Sequence, residues 1–288
     1  MFEKWSSVIW ICLLLCLLTG CRERMELDEG NAVYYWRTDL RLDSTERAFL
    51  KAYNINKVYC RYFDVVMDES GEPMPNATIV FNDTLPADIE IIPTVYITID
   101  CLQKPHKGLA EKLVKRIRQM NETNDISDVR EIQIDHDYTT RNMKVYYDFL
   151  EDVKKVWGGT LSTTIRLHQL SMEAPPVDYG ALMIYNTGDP QKFMERNPIL
   201  DQRDVAPYLR YLDDYPLPLA AAYPVFSWLR IISGVEIEHT VEASEILQVK
   251  RMVEQERKDL SHSVITYHLD KENINRYKPE TYEEIYHH

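Results

Sequence analysis

The residues best suited to chemistry lie in one run, Glu131-Ile132-Gln133-Ile134-Asp135-His136-Asp137-Tyr138. Read as a strand, its side chains alternate between two faces. Ile132 and Ile134 share one face with His136, while Gln133, Asp135 and Asp137 share the other. Two residues along a strand span about 6.6–7 Å. Two carboxylates that close in a partly dry site repel, so one keeps its proton to higher pH. A protonated acid beside a charged carboxylate is the pair that cleaves a glycosidic bond. The same pattern also fits a buried polar cluster that serves Arg61 or His168, and spacing does not separate the two readings.

Other polar and aromatic residues fall near the ends of neighbouring apolar runs. They are Asp39, Arg61 and Asp64 early in the chain, Arg166 and His168 in the middle, then Tyr185, Asn186, Tyr223 and Trp228. Together they describe a cleft with aromatic walls and hydrogen-bonding groups. Sugars suit such a cleft, with C–H faces on Trp or Tyr and hydroxyls on Asp, Asn and Arg. A metal-dependent hydrolase built on Asp135, Asp137, His136 and His168 is a further reading. It is weakened because His136 shares the isoleucine face.

These side chains need a scaffold that brings strand ends together. Eight runs read as strands: Ala32–Thr38, Lys57–Val65, Ile89–Asp100, Glu131–Asp137, Leu161–Leu170, Ala181–Asn186, Leu217–Phe226 and Ser263–Asp270. Helical periodicity lies between most of them, over Ser44–Asn54, Lys107–Asn121, Asn142–Trp157, Asp201–Asp214 and Val241–Asp259. Met67–Asp88 and Ser171–Asp178 read as loops where a helix is due. Eight strands with intervening helices predict a (β/α)8 TIM-type barrel with some helices replaced by loops, whose chemistry sits at the C-terminal strand ends. The alternative is an open doubly wound α/β sheet. Against it, Tyr35-Trp36-Arg37-Thr38-Asp39 after the first strand holds no glycine, so no phosphate loop is present and no cofactor is expected.

Several segments carry a family resemblance. VYYWR, EIQIDHDYTTRNMKVYYDFLEDVKK, LSTTIRL, PPVDYGALMIYN and AAAYPVFSWLRIISG occur here in the order seen in a bacterial family of glycoside-hydrolase-like barrel lipoproteins. More distantly, DHDY (Asp135 to Tyr138) and MIYN (Met183 to Asn186) resemble the D-x-D-x-E and M-x-Y-D motifs of family 18 chitinases and endo-N-acetylglucosaminidases. That resemblance implies Asp137 as general acid and Asp135 as the residue that orients an acetamido nucleophile. It makes Tyr185 its support and sets Gln133 where the first Asp of the motif stands. Asp137 is one methylene shorter than the family's Glu, and Asn186 replaces an Asp. A reach short by an ångström can cost on the order of 10²-fold in rate. Binding a glycan without cutting it, or serving as a scaffold, is therefore the competing expectation.

The N-terminus reads as an address. Lys4 precedes an apolar run, Val8–Leu18, of signal-peptide rather than membrane-spanning length. It ends Leu18-Thr19-Gly20-Cys21, which resembles a bacterial lipobox. The expectation is a cleaved leader over residues 1–20, lipid on Cys21, a polar tether over 21–31 and one barrel domain over 32–288. Acyl chains at Cys21 would hold the protein to a membrane of the cell envelope, each buried CH₂ adding about 0.8 kcal/mol.

Composition narrows the partners. The 288 residues are 45% hydrophobic and 27% charged, with a net charge of -13. That balance fits a folded domain and lacks the cationic footprint that nucleic acid requires. Of five cysteines, only Cys60 and Cys101 lie beyond Cys21. They have no zinc-ligand spacing, and buried free thiols or a disulfide both fit.

Overall fold

A computed structural model describes Leu27 and residues 30–188, 196–232 and 235–287. The expected leader, Cys21 and most of the tether lie outside the described residues. The chain opens with β1 (Gly30–Tyr35) and a two-residue β2 (Asp39–Leu40), then α1 (Ser44–Ala52) and the long β3 (Ile55–Met67). Short β4 (Pro73–Asn76) and β5 (Val80–Phe81) precede β6 (Glu90–Ile97), α2 (Leu109–Thr123), β7 (Glu131–Asp135) and α3 (Met143–Trp157). Next come β8 (Thr160–Arg166), β9 (Tyr179–Met183), α4 (Gln202–Leu209) and β10 (Leu219–Pro224). A hairpin of β11 (Trp228–Ile232) and β12 (Val235–His239) is followed by α5 (Ala243–Glu256), β13 (Ser263–Tyr267), α6 (Lys271–Ile274) and α7 (Pro279–Tyr286).

Among the described residues, eight parallel strands pair in the order β1-β3-β6-β7-β8-β9-β10-β13, and β13 pairs back to β1. The sheet is closed, so this is a TIM-type (β/α)8 barrel and the open-sheet alternative falls. Both stretches expected to lack a helix do lack one among the described residues. Met67–Asp88 carries only β4, antiparallel to β3, and β5 beside β2. Residues 171–178 pass directly into β9 after one 3-10 turn.

Local chemistry accounts for the helix limits. Asp43 caps α1 by accepting from the Thr45 and Glu46 amides, and Glu46 returns a bond to the Asp43 amide. Gly158, at φ +77°, ends α3 in the left-handed conformation that costs glycine least.

The barrel interior is polar along β7. At its base, Glu131 accepts from Ser162 Oγ at 2.5 Å and from Tyr179 Oη, and Tyr179 pairs with Tyr59 at 2.6 Å. One layer higher, Gln133 accepts from Tyr34 Oη at 2.9 Å and donates to Ser162 Oγ at 3.4 Å. At the top, Asp135 accepts from Thr164 Oγ1 at 2.7 Å. Ile132 and Ile134 are fully buried on the outer face. The alternation therefore has two causes: hydroxyl-satisfied packing below and a cavity above. The partners of the lower groups are Tyr and Ser hydroxyls rather than Arg61 or His168.

Gln133→Leu strands the Tyr34 hydroxyl in the interior. It is expected to lower stability by about 1–3 kcal/mol, read as a shift in the urea unfolding midpoint.

Candidate functional site

The C-terminal end of β7 is two residues shorter than the sequence pattern suggests, so Asp137 stands on the loop just beyond Asp135. Three contacts tie the end of β7 and this loop to β8 and the turn that follows it. Thr164 holds Asp135, Arg166 Nε donates to Asp137 Oδ1 at 2.5 Å, and Gln169 Nε2 donates to the Tyr138 carbonyl at 2.9 Å. Gln169 Oε1 also accepts the Arg166 amide at 2.7 Å. That bond curls residues 167–171 into the 3-10 turn and stops β8 at Arg166, short of the expected Leu170.

A cavity of about 410 Å³ opens here, lined on one side by Asp137, Arg166 and His168 and on the other by Tyr185, Asn186 and Trp228. Tyr185 is buried and stacks on Tyr267, ring centroids 4.9 Å apart. Its hydroxyl has no partner among the described residues. Asn186 takes φ +53°, a left-handed conformation that asparagine tolerates.

The two carboxyls occupy different environments. Asp135 is 4% exposed, and burial pushes its carboxyl up to about 6, against the opposing pull of the Arg166 charge. Asp137 keeps 35% of its side chain exposed and pairs directly with Arg166. Burial works against the Arg166 charge, but Asp137 and Asp135 outweigh it and keep the guanidinium protonated.

The remaining expected site residues divide. Arg61 and Asp64 form a two-pronged ion pair within the second half of β3, with the guanidinium 5.5 Å from the Trp36 ring centre. Both interact with the Asp135 charge, which sets them at the same barrel mouth, two strands from β7. Gln133 lies beneath the mouth, fully buried, with its amide engaged. Asp39 sits outside it, about half exposed, accepting from Asn82 Nδ2 at 2.8 Å. Tyr223 is not in the cleft. It is in register with Thr266, whose hydroxyl bonds Tyr286 of α7, so both face the helical layer. One residue of β10 separates the two faces.

His136 is also turned outward. Its Nδ1 meets the Ile97 carbonyl at 2.8 Å, its Nε2 meets Asn142 Nδ2 at 2.9 Å, and its ring packs on Tyr146 of α3. It does not join the two carboxylates. Among the described residues no cluster of three His, Cys, Asp or Glu is arranged to hold a metal ion. Cys60 and Cys101 are both buried free thiols.

Two mouth residues are missing from the sequence reading. Tyr96 pairs in register with Asp135, and its hydroxyl is pushed up by burial and then by Asp137 and Asp135. Tyr267 packs against Tyr34, Trp36, Tyr185 and Phe226. Tyr96 is the last but one residue of β6 and Tyr267 the last of β13, and their parity within those strands was the available signal.

No family model and no curated protein matches the chain. Solved structures do. A chitinase from Bacteroides thetaiotaomicron superposes with a TM-score of 0.59 at 11% identity, over 91% of this chain and 99% of that one. The Bacillus cereus spore cortex-lytic enzyme SleL gives 0.56 at 15% identity, over 91% and 74%. A GH113 β-1,4-mannanase gives 0.52 at 9% identity, over 91% and 98%. The chain has the fold of the glycoside-hydrolase-like (β/α)8 barrels.

Proposed function

We propose that the protein acts on a glycan at the C-terminal mouth of its barrel, with Asp137 and Asp135 as the working carboxyl pair. One observation carries this reading: Asp137 and the unpartnered Tyr185 hydroxyl line one cavity at the end of a closed barrel, and Asp135 lies buried close enough to interact with both. In this reading Asp137, the more accessible carboxyl, meets the glycosidic oxygen. Asp135 stays below it with its proton held to higher pH, and Tyr185 donates to an acceptor on the sugar. Asn186, His168 and Trp228 bind the ring. Release of reducing ends from chito-oligosaccharides, lost on Asp137→Asn, tests the assignment. A protein that binds such sugars with no product overturns hydrolysis and leaves binding.

That second reading has its own support. An acid that donates a proton must first leave its partner, and Asp137 is held by Arg166.

Anchoring through Cys21 to a membrane of the cell envelope belongs to the same proposal, and rests on the Leu18-Thr19-Gly20-Cys21 run. Cys21→Ser is expected to abolish incorporation of labelled palmitate in a bacterial host and to release the protein from the membrane fraction. Labelling that persists would refute the anchor.

A further inference from the structure

The cavity holds a cation whose hydrogen-bonding capacity is mostly unused among the described residues. A guanidinium carries five N–H donors in a planar fork. In Arg166 only Nε is engaged, by Asp137, and the terminal N–H groups donate to no described residue. The side chain is 19% exposed and the residue lines the cavity. Arg61 differs, since both prongs of its guanidinium are taken by Asp64. Arg166 is therefore the one cation among the described cavity-lining residues with donors to spare.

The environment says what those donors would take. A fork of parallel N–H groups matches the two oxygens of a carboxylate better than a single hydroxyl. Asp137 already shows that a carboxylate can reach this guanidinium, and at 35% exposure it is the more displaceable of the two acids. Around the ion pair stand Asp135, Tyr96, His136, Tyr146 and His168, each near enough to feel the Asp137 charge. None of them supplies a second fixed positive charge. The chain as a whole carries -13, so attraction of an anion has to come from inside the cavity.

We propose that the site selects a sugar bearing a carboxylate, and that this carboxylate engages the Arg166 fork, sharing or displacing Asp137. The proposal rests on the glycan reading and names its substrate class. Arg166 is then the specificity residue. Where the sugar carboxylate displaces Asp137 from Arg166, the released carboxylate takes a proton from solvent and turns toward the glycosidic oxygen, to which it passes that proton as the bond breaks. The ion pair that favours binding without cleavage becomes a latch that an acidic sugar opens.

The test compares glucuronate and N-acetylmuramate with their methyl esters, which keep the ring and lose the charge. Isothermal titration of the wild-type protein is expected to show each acid binding at least about tenfold tighter than its ester. Arg166→Gln removes that preference, and Arg166→Lys, which keeps the charge without the fork, retains part of it. Asp137→Asn, which removes the competing carboxylate, widens the preference for each acid over its ester. Circular dichroism checks that each variant is folded, and Asp137→Asn keeps the test alive if Arg166→Gln is not. Acids and esters binding equally, or Arg166→Gln preferring acids as wild type does, contradicts the acidic class and leaves the glycan reading standing. Binding of neither acid nor ester contradicts both.

Discussion

Asp137→Asn is expected to reduce glycan turnover by at least about 10²-fold, the contribution of one positioned proton donor. It should do so without unfolding the barrel. Asp137 is about a third exposed and its one described ion-pair partner is Arg166, so the lost pair contributes at most about 1 kcal/mol. The asparagine oxygen still accepts from Arg166 Nε. Steady-state rates on a cleaved oligosaccharide, set beside thermal melts, separate the two effects. Full activity in the variant removes Asp137 from the chemistry. An equal fall in rate and melting temperature makes it a structural residue instead.

The second large effect concerns Asp135 and pH. Its carboxyl, ordinarily near 3.8, is raised to about 6 in the folded chain because it is buried. The folded state therefore holds this proton more tightly than the unfolded state does. The resulting stabilisation is fully present below pH 4 and is lost as pH rises through 6. A shift of this size corresponds to about 3 kcal/mol between those limits. Asp135→Asn keeps an oxygen for Thr164 and cannot ionise. It is expected to match the wild type near pH 4 and to be the more stable of the two at pH 7.5, while losing turnover. Glu131 is also pushed up by burial and adds a slope of the same sign to both proteins. The difference between wild type and variant, measured by urea unfolding at pH 4.5, 6 and 7.5, isolates Asp135. Parallel curves would refute the shifted carboxyl.

The alternation in β7 made both the fold and part of the site legible. Ile132 and Ile134 identified the outer face, and with seven other apolar runs they called for a closed sheet. The same alternation did not say how deep each polar residue sits. Gln133 and Asp135 share a face, yet the first is sealed by Tyr34 and Ser162 while the second lies one layer higher, within reach of the Asp137 and Arg166 charges that line the cavity. Depth is set by where the sheet ends, and that is decided by the Gln169 turn and the Arg166–Asp137 pair, contacts between distant residues. Tyr223 failed for a related reason. Its place at the end of an apolar run suggested the mouth, but parity on β10 turns it to the helices. Strand-end position and strand parity must agree before a residue faces the cavity, and both agree for Tyr267 and Tyr96.

The role of the cavity can be settled by crystallography of Asp137→Asn soaked with chito-oligosaccharide and with an oligosaccharide containing N-acetylmuramate. Sugar density is expected against Tyr185, Trp228 and residue 137, with an oxygen of the ligand on Arg166 in the acidic case. Ordered sugar elsewhere, such as along the separate cavity lined by Asp83, Glu90 and Arg130, with the barrel mouth filled only by water, would contradict it.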